Sequence, residues 1–555
     1  MRRVPMLKTH TSISSQDTEF PTVSESFVEE LCRVLGEDSV CQELSDLAAA
    51  ERATFSTKQK IPLIIRPKDR EGVVLAVQAA NRHGVPLYTI SSGKNWGYGS
   101  RVPVADGCAL LDLSRLNRIV ELNEELGYVT VEPGVTQQAL FDFLMERGSG
   151  LWMDATGSSP DCSLIGNAVE RGFGHTAYSD HFANLCGLEV VLPNGDVVET
   201  GFAGLPEART GGIYRWGVGP SLDGLFSQSN FGVVTRATVW LMPAPAYFQA
   251  FFFQASEGDG LTELINALRP LRMNGTLRSA IHIGNDYKVL AGVQQFPWGE
   301  RLPLSRERMA EYRTKLKVAP WSGSGALYGT RNQVAEARRL LRQALKTKVR
   351  RLHFMDDRMI RLATRFRRPY RVMTGLDLSR TLALLKPVYG LLKGIPTQDT
   401  LGSAYWRMKM AVPADANPDR DGCGLLWMAP VAPLSGVEAR KLVDVAETTL
   451  LEHGFEPMIS LTLLTERSLA AIVSISYDRT VPGEDAKAMI CYRALERGLY
   501  EHGFYPYRLS IASMNLQSDR HAYSDLLRTL KTALDPNDIL APGRYVPERP
   551  LGNVT

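Results

Sequence analysis

Three segments rich in glycine and small polar residues, each next to an apolar strand-like run, constrain most what this chain can fold into. They are 92–99, 157–175 and 219–235. Glycine leaves room for backbone N–H groups to approach a phosphate without a side chain in the way. The first segment matches neither GxGxxG nor GxxxxGK[ST], which disfavours a nicotinamide site and an NTPase loop. When this segment is considered alone, an ordinary tight turn explains it as well as a phosphate-binding loop does.

The second segment is the longest of the three. From Gly157 to His175 it holds more glycines and small residues than a helix or strand normally contains. We therefore predict a loop that wraps closely around a ligand, in which the Asn167 amide can both donate and accept hydrogen bonds. The apolar run that follows ends in Pro193-Asn194-Gly195-Asp196, a sequence typical of a hairpin turn.

Composition excludes several classes of function. Charged residues make up 22% of the 555 residues and the net charge is +3, too little for a protein that neutralises nucleic-acid phosphates. The seven cysteines are too dilute for a disulfide scaffold, and the sequence has no CxxC or HExxH pattern for a metal. The start of the chain is basic but has no apolar core after it, and no stretch approaches 18 apolar residues. We therefore expect a cytoplasmic protein with no membrane segment, no nucleic-acid partner and no metal.

Strand and helix patterns divide the chain into four parts. Residues 1–55 are a lead-in with helices, and 56–245 alternate strands with helices, as in an α/β or α+β domain. Pro243-Ala244-Pro245-Ala246 marks a boundary, after which 246–500 form a second domain of helices and short strands. We expect the final part, 501–555, to return to the first domain.

Four runs together resemble the characteristic segments of the vanillyl-alcohol oxidase and 4-cresol dehydrogenase family of FAD-linked oxidases. They are Ser92 to Gly99, Asn167-Ala168-Val169-Glu170-Arg171-Gly172, Trp216-Gly217-Val218-Gly219-Pro220 through Phe231-Gly232, and Asp535-Pro536-Asn537 with Ala541-Pro542-Gly543. The resemblance covers residues 60–547, with the runs in the family's order. It implies an α+β fold, in which both ends of the chain build a two-lobed FAD-binding domain of the vanillyl-alcohol oxidase type. An α+β cap (substrate) domain would cover the flavin ring.

The resemblance also implies which residues hold FAD. Those expected at the pyrophosphate are Ser92, Gly93, Lys94, Asn95, Trp96 and Gly97. Those expected around the adenosine and the flavin are Leu164, Ile165, Gly166, Asn167, Asn230, Gly232 and Val233. Arg544 is expected near the polar edge of the ring, where a cation would stabilise the anionic reduced flavin.

For the substrate, the resemblance implies a phenol-binding set of Tyr98, Tyr507 and Arg508. A 4-alkyl phenol bound as its phenolate gives up hydride from the benzylic carbon readily, because the product is a neutral quinone methide. Two tyrosine hydroxyls and a guanidinium would stabilise the anion and lower the pKa of the bound phenol. Each residue by itself has a plainer explanation, as a buried tyrosine with a satisfied hydroxyl or as a surface arginine.

Other positions depart from the family's pattern. Ser158 stands where the family has an oxidase acid or a dehydrogenase serine, and His175 replaces a tyrosine. His175 could move a proton near neutral pH, although a structural histidine explains it too. Ala470 and Leu461 stand where the family has polar cap-side groups, which favours a bulky or less polar substrate such as a natural product.

The link to FAD is the next departure. Members that attach FAD covalently use a cap-domain histidine or tyrosine, and Asp421 to Pro430 contains neither. Cys423 is the nearest candidate, but it is slightly out of register, and buried cysteines in apolar surroundings are generally inert. We therefore predict FAD bound without a covalent link.

The sequence thus predicts an FAD-dependent oxidoreductase that takes hydride from a 4-substituted phenol or phenolic alcohol. Oxygen or an electron-acceptor protein would reoxidise the flavin, and Gly157 leaves room for oxygen. The chain has no CxxCH haem motif of its own. One alternative is oxidation of a 2-hydroxy acid or another alcohol, with Arg508 holding a carboxylate; another is a flavin-binding partner subunit with reduced turnover. A homodimer is compatible with the resemblance.

Overall fold

The computed structural model describes residues 23–258, 260–365, 378–517 and 521–546, so residues 1–22 of the predicted lead-in lie outside the described residues. The helices are α1 (Glu25–Leu35), α2 (Leu44–Ala50), α3 (Arg70–His83), α4 (Gln137–Glu146), α5 (Leu164–Val169), α6 (Gly260–Met273), α7 (Asp286–Ala291), α8 (Arg306–Leu316), α9 (Arg331–Leu345), α10 (Asp357–Arg365), α11 (Leu378–Leu391), α12 (Gly436–Glu452), α13 (Glu484–Glu501) and α14 (His521–Leu534). Short 3₁₀ turns lie at Glu37–Ser39, Asp223–Phe226, Asp399–Tyr405 and Ile511–Gln517. In the part of the chain that the structure describes, none of these helices has the length and apolar character needed to cross a membrane.

The strands form three main sheets. They are β1 (Val40–Cys41), β2 (Ile64–Ile65), β3 (Leu87–Ile90), β4 (Ala109–Asp112), β5 (Ile119–Asn123), β6 (Tyr128–Val131), β7 (Leu151–Trp152), β8 (Leu185–Val191), β9 (Val197–Glu199), β10 (Val233–Trp240), β11 (Met242–Pro243), β12 (Tyr247–Ala255), β13 (Ile281–Asn285), β14 (Trp321–Gly329), β15 (Val349–Met355), β16 (Cys423–Met428), β17 (Val431–Pro433), β18 (Met458–Leu463) and β19 (Ser468–Asp478). Strands β7 and β11 pair only with each other.

The first lobe is built on a four-stranded sheet in the order β1-β2-β4-β3. Strands β2, β4 and β3 are parallel, and α3 connects β2 to β3. The Asp69 side chain caps α3 by accepting the N–H of Gly72 at 2.8 Å, and Gly84 ends the helix with a left-handed φ of 62°. Helix α1, capped by Ser24, packs against α3. The strand–helix–strand unit expected from the sequence is present.

The end of the chain packs into this first lobe. The backbone N–H of Leu87 in β3 donates to the carbonyl of Ile539, and the N–H of Ala541 donates back to Leu87, both at 2.7 Å. The buried Lys531 in α14 donates to the Asp535 carboxylate at 2.6 Å and to the Leu540 carbonyl at 2.8 Å. These bonds fix the segment that carries Arg544 against the first sheet.

The second lobe is an antiparallel sheet in the order β5-β6-β10-β8-β9. The predicted turn between β8 and β9 is present, with Gly195 at a φ of 90°. The segment 157–175 differs from the prediction of an all-loop structure, because residues Leu164–Val169 form helix α5. The Ser163 hydroxyl accepts the N–H of Gly166 at 2.9 Å and so starts this helix within a run of small residues.

The third sheet belongs to the cap domain and has the order β15-β12-β14-β13-β18-β19-β16, with β17 paired to β19. Helices α6, α9, α12 and α13 cover one face and share an apolar core with it. The opposite face carries small and polar side chains, because alternate residues of a strand point to opposite sides. Residues of this face that line the central cavity are His282, Gly284, Ser322, Ser324, Ser460 and Thr462.

Candidate active site

A cavity of about 1910 Å³ lies where the two lobes meet the polar face of the cap sheet. A typical pocket for one small ligand has roughly 300–1,000 Å³, so this cavity has room for more than one such group. Eight lysine and arginine residues line it, against two acidic residues. The excess of positive charge favours anionic ligands.

Most of the predicted site residues line this cavity. Those that do so are Ser92, Gly93, Lys94, Asn95, Trp96, Tyr98, Ser158, Ile165, Gly166, Asn167, His175, Asn230, Gly232, Val233, Tyr507, Arg508 and Arg544. Gly97 and Leu164 are not among the lining residues. Gly97 instead packs against the Trp427 ring, where an added Cβ would lie 2.8 Å from a ring atom, and its N–H donates to Thr54. Leu164 packs on the core of the second lobe.

The wall formed by the first glycine turn fits tightly against helix α5. A Cβ at Gly166 would lie 2.2 Å from the Ser91 hydroxyl, so glycine at this position lets Ser91 pack directly on the helix in its present conformation. The Ser92 hydroxyl accepts the N–H of Ser163 at 3.1 Å. Nearby, Asn230 donates its amide to the carbonyl of Ala541 at 3.1 Å, which leaves its side-chain oxygen buried and without a hydrogen-bond partner among the described residues. An unpaired buried acceptor on a close-packed backbone wall fits a nucleotide ligand such as FAD.

Glu170 is the centre of the charged cluster in the cavity. One carboxylate oxygen accepts a hydrogen bond from Arg544, and the other accepts one from the Tyr545 hydroxyl at 2.7 Å and lies 3.4 Å from Nε of Arg508. Burial alone would raise the pKa of Glu170, but the charges of Arg544 and Arg508 outweigh it and hold this pKa below its usual range. Two guanidiniums against one carboxylate leave a net positive charge at this wall.

Glu170 lies in one of the runs that carry the family resemblance, but its role was not predicted from the sequence. The available signal was a lone acid within Asn167-Ala168-Val169-Glu170-Arg171-Gly172, a run otherwise of small residues and one arginine. Its partners come from the far end of the chain, and the sequence alone does not show that they meet.

The phenol-binding set predicted from the resemblance is brought together. The Arg508 guanidinium donates to the Asn95 side chain at 2.7 Å and lies 4.7 Å from the centre of the Tyr98 ring. The Tyr98 hydroxyl is buried and has no hydrogen-bond partner among the described residues. Tyr507 packs against Phe173, with ring centres 5.6 Å apart.

Burial sets the protonation of both tyrosines. It raises the pKa of Tyr507 to about 12, with the Arg508 charge opposing it, and it also raises the pKa of Tyr98. Both hydroxyls are therefore protonated at neutral pH and can donate hydrogen bonds. Two donors beside a fixed cation suit an anionic oxygen such as a phenolate.

Two stacked histidines form another wall of the cavity, with ring centres 4.1 Å apart. His175 bonds the Ala155 carbonyl through Nδ1 at 3.1 Å, and His282 bonds the Gly174 carbonyl through Nε2 at 3.1 Å. Because a carbonyl only accepts, these nitrogens carry the protons, and burial lowers the pKa of both rings. His282 then accepts from the Thr462 hydroxyl at 3.0 Å. Nε2 of His175 is left as a bare acceptor, with no hydrogen bond to any described residue.

His282 was not among the predicted site residues. It lies on β13, where alternate residues face the cavity, and it lines the cavity there. Gly157 was expected to leave room beside the flavin. An added Cβ there would lie 3.2 Å from the His175 ring, so Gly157 lets that ring approach. Asp154 fixes the same loop by accepting the N–H groups of His175 and Thr176 and by bonding His181 at 2.8 Å.

Comparison with known proteins places this site in a family. An FAD binding domain model matches residues 61–201. The chain is 44% identical over 517 residues to 1'-carboxy-chondrochloren decarboxylase of Chondromyces crocatus, covering 92% of this chain and 95% of that protein. It is 30% identical to the flavoprotein subunit of 4-cresol dehydrogenase [hydroxylating] of Pseudomonas putida, covering 93% and 94%. The chain belongs to the 4-cresol dehydrogenase and vanillyl-alcohol oxidase family.

Solved structures agree with this assignment. Substrate-bound p-cresol methylhydroxylase superposes with a TM-score of 0.83 at 28% identity, covering 94% of this chain and 96% of that one. The isoeugenol complex of 4-ethylphenol oxidase from Gulosibacter chungangensis gives 0.86 at 28% identity, covering 96% and 99%. The predicted family, the predicted fold class and FAD as the cofactor are confirmed, and the protein is an FAD-dependent oxidoreductase of this family.

Two cap-side residues, Leu461 and Ala470, do not line the cavity as the family resemblance implied. Leu461 points into the apolar core of the cap domain, because its neighbours Ser460 and Thr462 are the ones that face the cavity. Ala470 is buried and does not line the cavity either. Neither position therefore supports the expectation of a bulky substrate, since Leu461 faces the core and Ala470 is not among the lining residues.

Cys423, the one candidate for a covalent link, is also outside the cavity lining. It is fully buried in a cluster with Trp96 and Tyr405, and burial raises the pKa of its thiol. A buried, protonated thiol is a poor nucleophile.

Proposed function

We propose that this family member takes hydride from the benzylic carbon of a 4-substituted phenol held as its phenolate. The observation that carries the proposal is the convergence of Tyr98, Tyr507 and Arg508 on one wall of the cavity, with the Tyr98 hydroxyl unpaired. Two relatives, 4-cresol dehydrogenase and 4-ethylphenol oxidase, are named for substrates of this class.

The neutral and the charged residues of the site would have different roles. Bound FAD supplies the hydride acceptor, and it would be held by the lining residues of 92–96, 165–167 and 230–233 together with Arg544. Tyr98 and Tyr507 would donate hydrogen bonds to the phenolate oxygen, and Arg508 would supply the neutralising charge. Asn95 and Glu170 hold Arg508 in place, so it does not have to reorganise during the reaction. As hydride leaves, negative charge would move away from the phenol oxygen, and Arg544 would supply the cation for the anionic reduced cofactor.

A second step is favoured by one specific observation, the 44% identity to a protein named as a decarboxylase. We propose that a substrate with a carboxylate on the carbon next to the benzylic position loses CO₂ after hydride removal. The C–C bond to the carboxylate breaks, and its electron pair forms the double bond between the two side-chain carbons. The quinone methide is thereby reduced back to a phenolate, so the products are a vinylphenol and CO₂. His175 and its stacked partner His282 would lie against the side chain of the substrate.

Anaerobic titration of the holoenzyme tests both steps. We expect 4-ethylphenol and 3-(4-hydroxyphenyl)propanoate to bleach the flavin, and the second compound to give 4-vinylphenol and CO₂ in equal amounts. 4-tert-Butylphenol, which has no benzylic hydrogen, is the control and should perturb the spectrum without bleaching it. Bleaching by D-lactate but by no phenol would favour the 2-hydroxy acid alternative instead. Bleaching by small cresols alone would exclude a bulky substrate.

A further inference from the structure

The cap sheet carries a second group of polar residues that the proposed phenol chemistry does not use. It is centred on Gly284 in β13, whose register partners are Ser322 on β14 and Ser460 on β18. All three residues line the cavity, as does Lys288 in α7. A Cβ at Gly284 would touch the stem of Lys288 at 3.6 Å, so the lysine side chain lies directly over the glycine.

Lys288 has no counter-ion among the residues that the structure describes. Its Nζ donates to the Ser403 hydroxyl at 3.0 Å, and it makes no ion pair with any described residue. Burial, with no carboxylate to oppose it, lowers the pKa of Lys288 to about 8. A partly buried ammonium of this kind is stabilised when an anion enters, because the anion replaces the lost hydration.

Ser322 supplies a second unmet group. Its hydroxyl oxygen is buried and has no hydrogen-bond partner among the described residues. Buried polar atoms are rarely left unpaired, so an orphaned hydroxyl that lines the same cavity as Lys288 marks a place for an acceptor from outside the chain.

We propose that Lys288, Ser322 and Ser460 bind a carboxylate at the far end of the substrate's 4-substituent. This inference rests on the proposed function, since it assumes that the other end is a phenol. Gly284 is two residues from His282 along β13, a distance of about 7 Å at the rise of a strand. With the benzylic carbon assigned to the His175–His282 end of this wall, the carboxylate would sit further out than a group next to that carbon, and the site would select long 4-(ω-carboxyalkyl)phenols.

The carboxylate bound at this site is not the one that the proposed decarboxylation would remove. A carboxylate that is tightly held by an ammonium is stabilised in its ground state, which would slow loss of CO₂. We therefore assign Lys288 to binding and orientation of a carboxylate that stays on the substrate.

The test compares charged and neutral ligands of equal shape on the FAD-loaded protein. The acids run from 3-(4-hydroxyphenyl)propanoate to 6-(4-hydroxyphenyl)hexanoate, each paired with its primary amide, and binding is read anaerobically from saturation of the flavin spectral change. We expect the wild type to prefer the acid at the longer lengths. K288M should lose about 10- to 100-fold in affinity for those acids with amide affinity unchanged, whereas K288R should keep most of the preference. S322A should lose about 3- to 10-fold, and K346M, which changes an exposed lysine, should match the wild type.

Two results would overturn the site: equal binding of acid and amide at every length in the wild type, or an acid preference that survives in K288M. Hexanoate, which has no phenol, separates this failure from failure of the proposed function. If no phenol changes the flavin spectrum but calorimetry shows hexanoate binding to the wild type and at least 10-fold weaker to K288M, the phenol proposal is wrong and the carboxylate site stands. If hexanoate binds both equally, the site is wrong as well.

Discussion

Replacing Arg508 with methionine should raise the pKa of a bound phenol by about 2 units. A unit charge about 4 Å from a phenolate oxygen contributes about 4 kcal/mol at an effective dielectric constant near 20, equivalent to about 3 pKa units. Water that enters the space left by the guanidinium recovers part of this stabilisation of the phenolate. Measured pKa shifts caused by one opposite charge fall in the range of about 1–3 pKa units. Glu170 keeps its bonds from Arg544 and Tyr545 in the variant, so the carboxylate does not lose all its partners.

The assay uses 4-hydroxyacetophenone, which has no benzylic hydrogen to lose and whose phenolate absorbs at longer wavelength than the neutral phenol. We expect the wild type to bind the phenolate at pH 7 and R508M to bind the neutral form. Flavin reduction by 4-ethylphenol at pH 7 should fall about 100-fold in R508M and recover as the pH rises, because the variant needs a more alkaline solution to ionise the phenol. R508K should lie between the two, since one ammonium cannot reproduce the fork that serves Asn95 and Glu170.

The control is R493M, which changes an arginine that is 46% exposed and should leave the bound pKa unaltered. An R508M protein with full FAD content and the wild-type bound pKa would refute the role given to this charge.

Three further outcomes are expected. G166A should lower the flavin-to-protein absorbance ratio of the purified protein, because its Cβ would lie 2.2 Å from Ser91; a full flavin content would contradict the close packing. K531M should lower the free energy of unfolding by about 3 kcal/mol, since it leaves the buried Asp535 without its cation, and a denaturant titration with an unchanged midpoint would contradict this. Acid precipitation should release the yellow colour into solution if FAD has no covalent link, whereas colour in the pellet would show that a link exists.

The parts of the site that the sequence predicted were those marked by local pattern. Glycine turns, a hairpin signal and a Tyr-Arg pair are visible in a few consecutive residues, and 92–96 and 507–508 do line the cavity. Helix α5 was missed because its glycine and small residues argue against a helix, while one capping hydroxyl and the packing around it outweigh that propensity.

The remaining errors have a different physical origin. Leu461 was placed in the site by alignment, yet a shift of one position on a strand moves a side chain to the opposite face. Glu170 and His282 were missed because their partners are distant in sequence and become neighbours only when the lobes and the cap sheet meet. The net charge at a wall of the cavity depends on which distant segments are brought together there, so it cannot be deduced from any single segment.

The pairing of Glu170 with residues near the end of the chain bears on the order of biosynthesis. Arg508, Arg544 and Tyr545 leave the ribosome long after Glu170 does, so for most of translation this acid has no counter-ion and stays hydrated. In the structure, the wall that it organises is complete only when the segment that carries Arg544 is docked on the first lobe. We therefore expect tight binding of the cofactor to require that segment, and a variant truncated before α14 to leave the cavity open on this side.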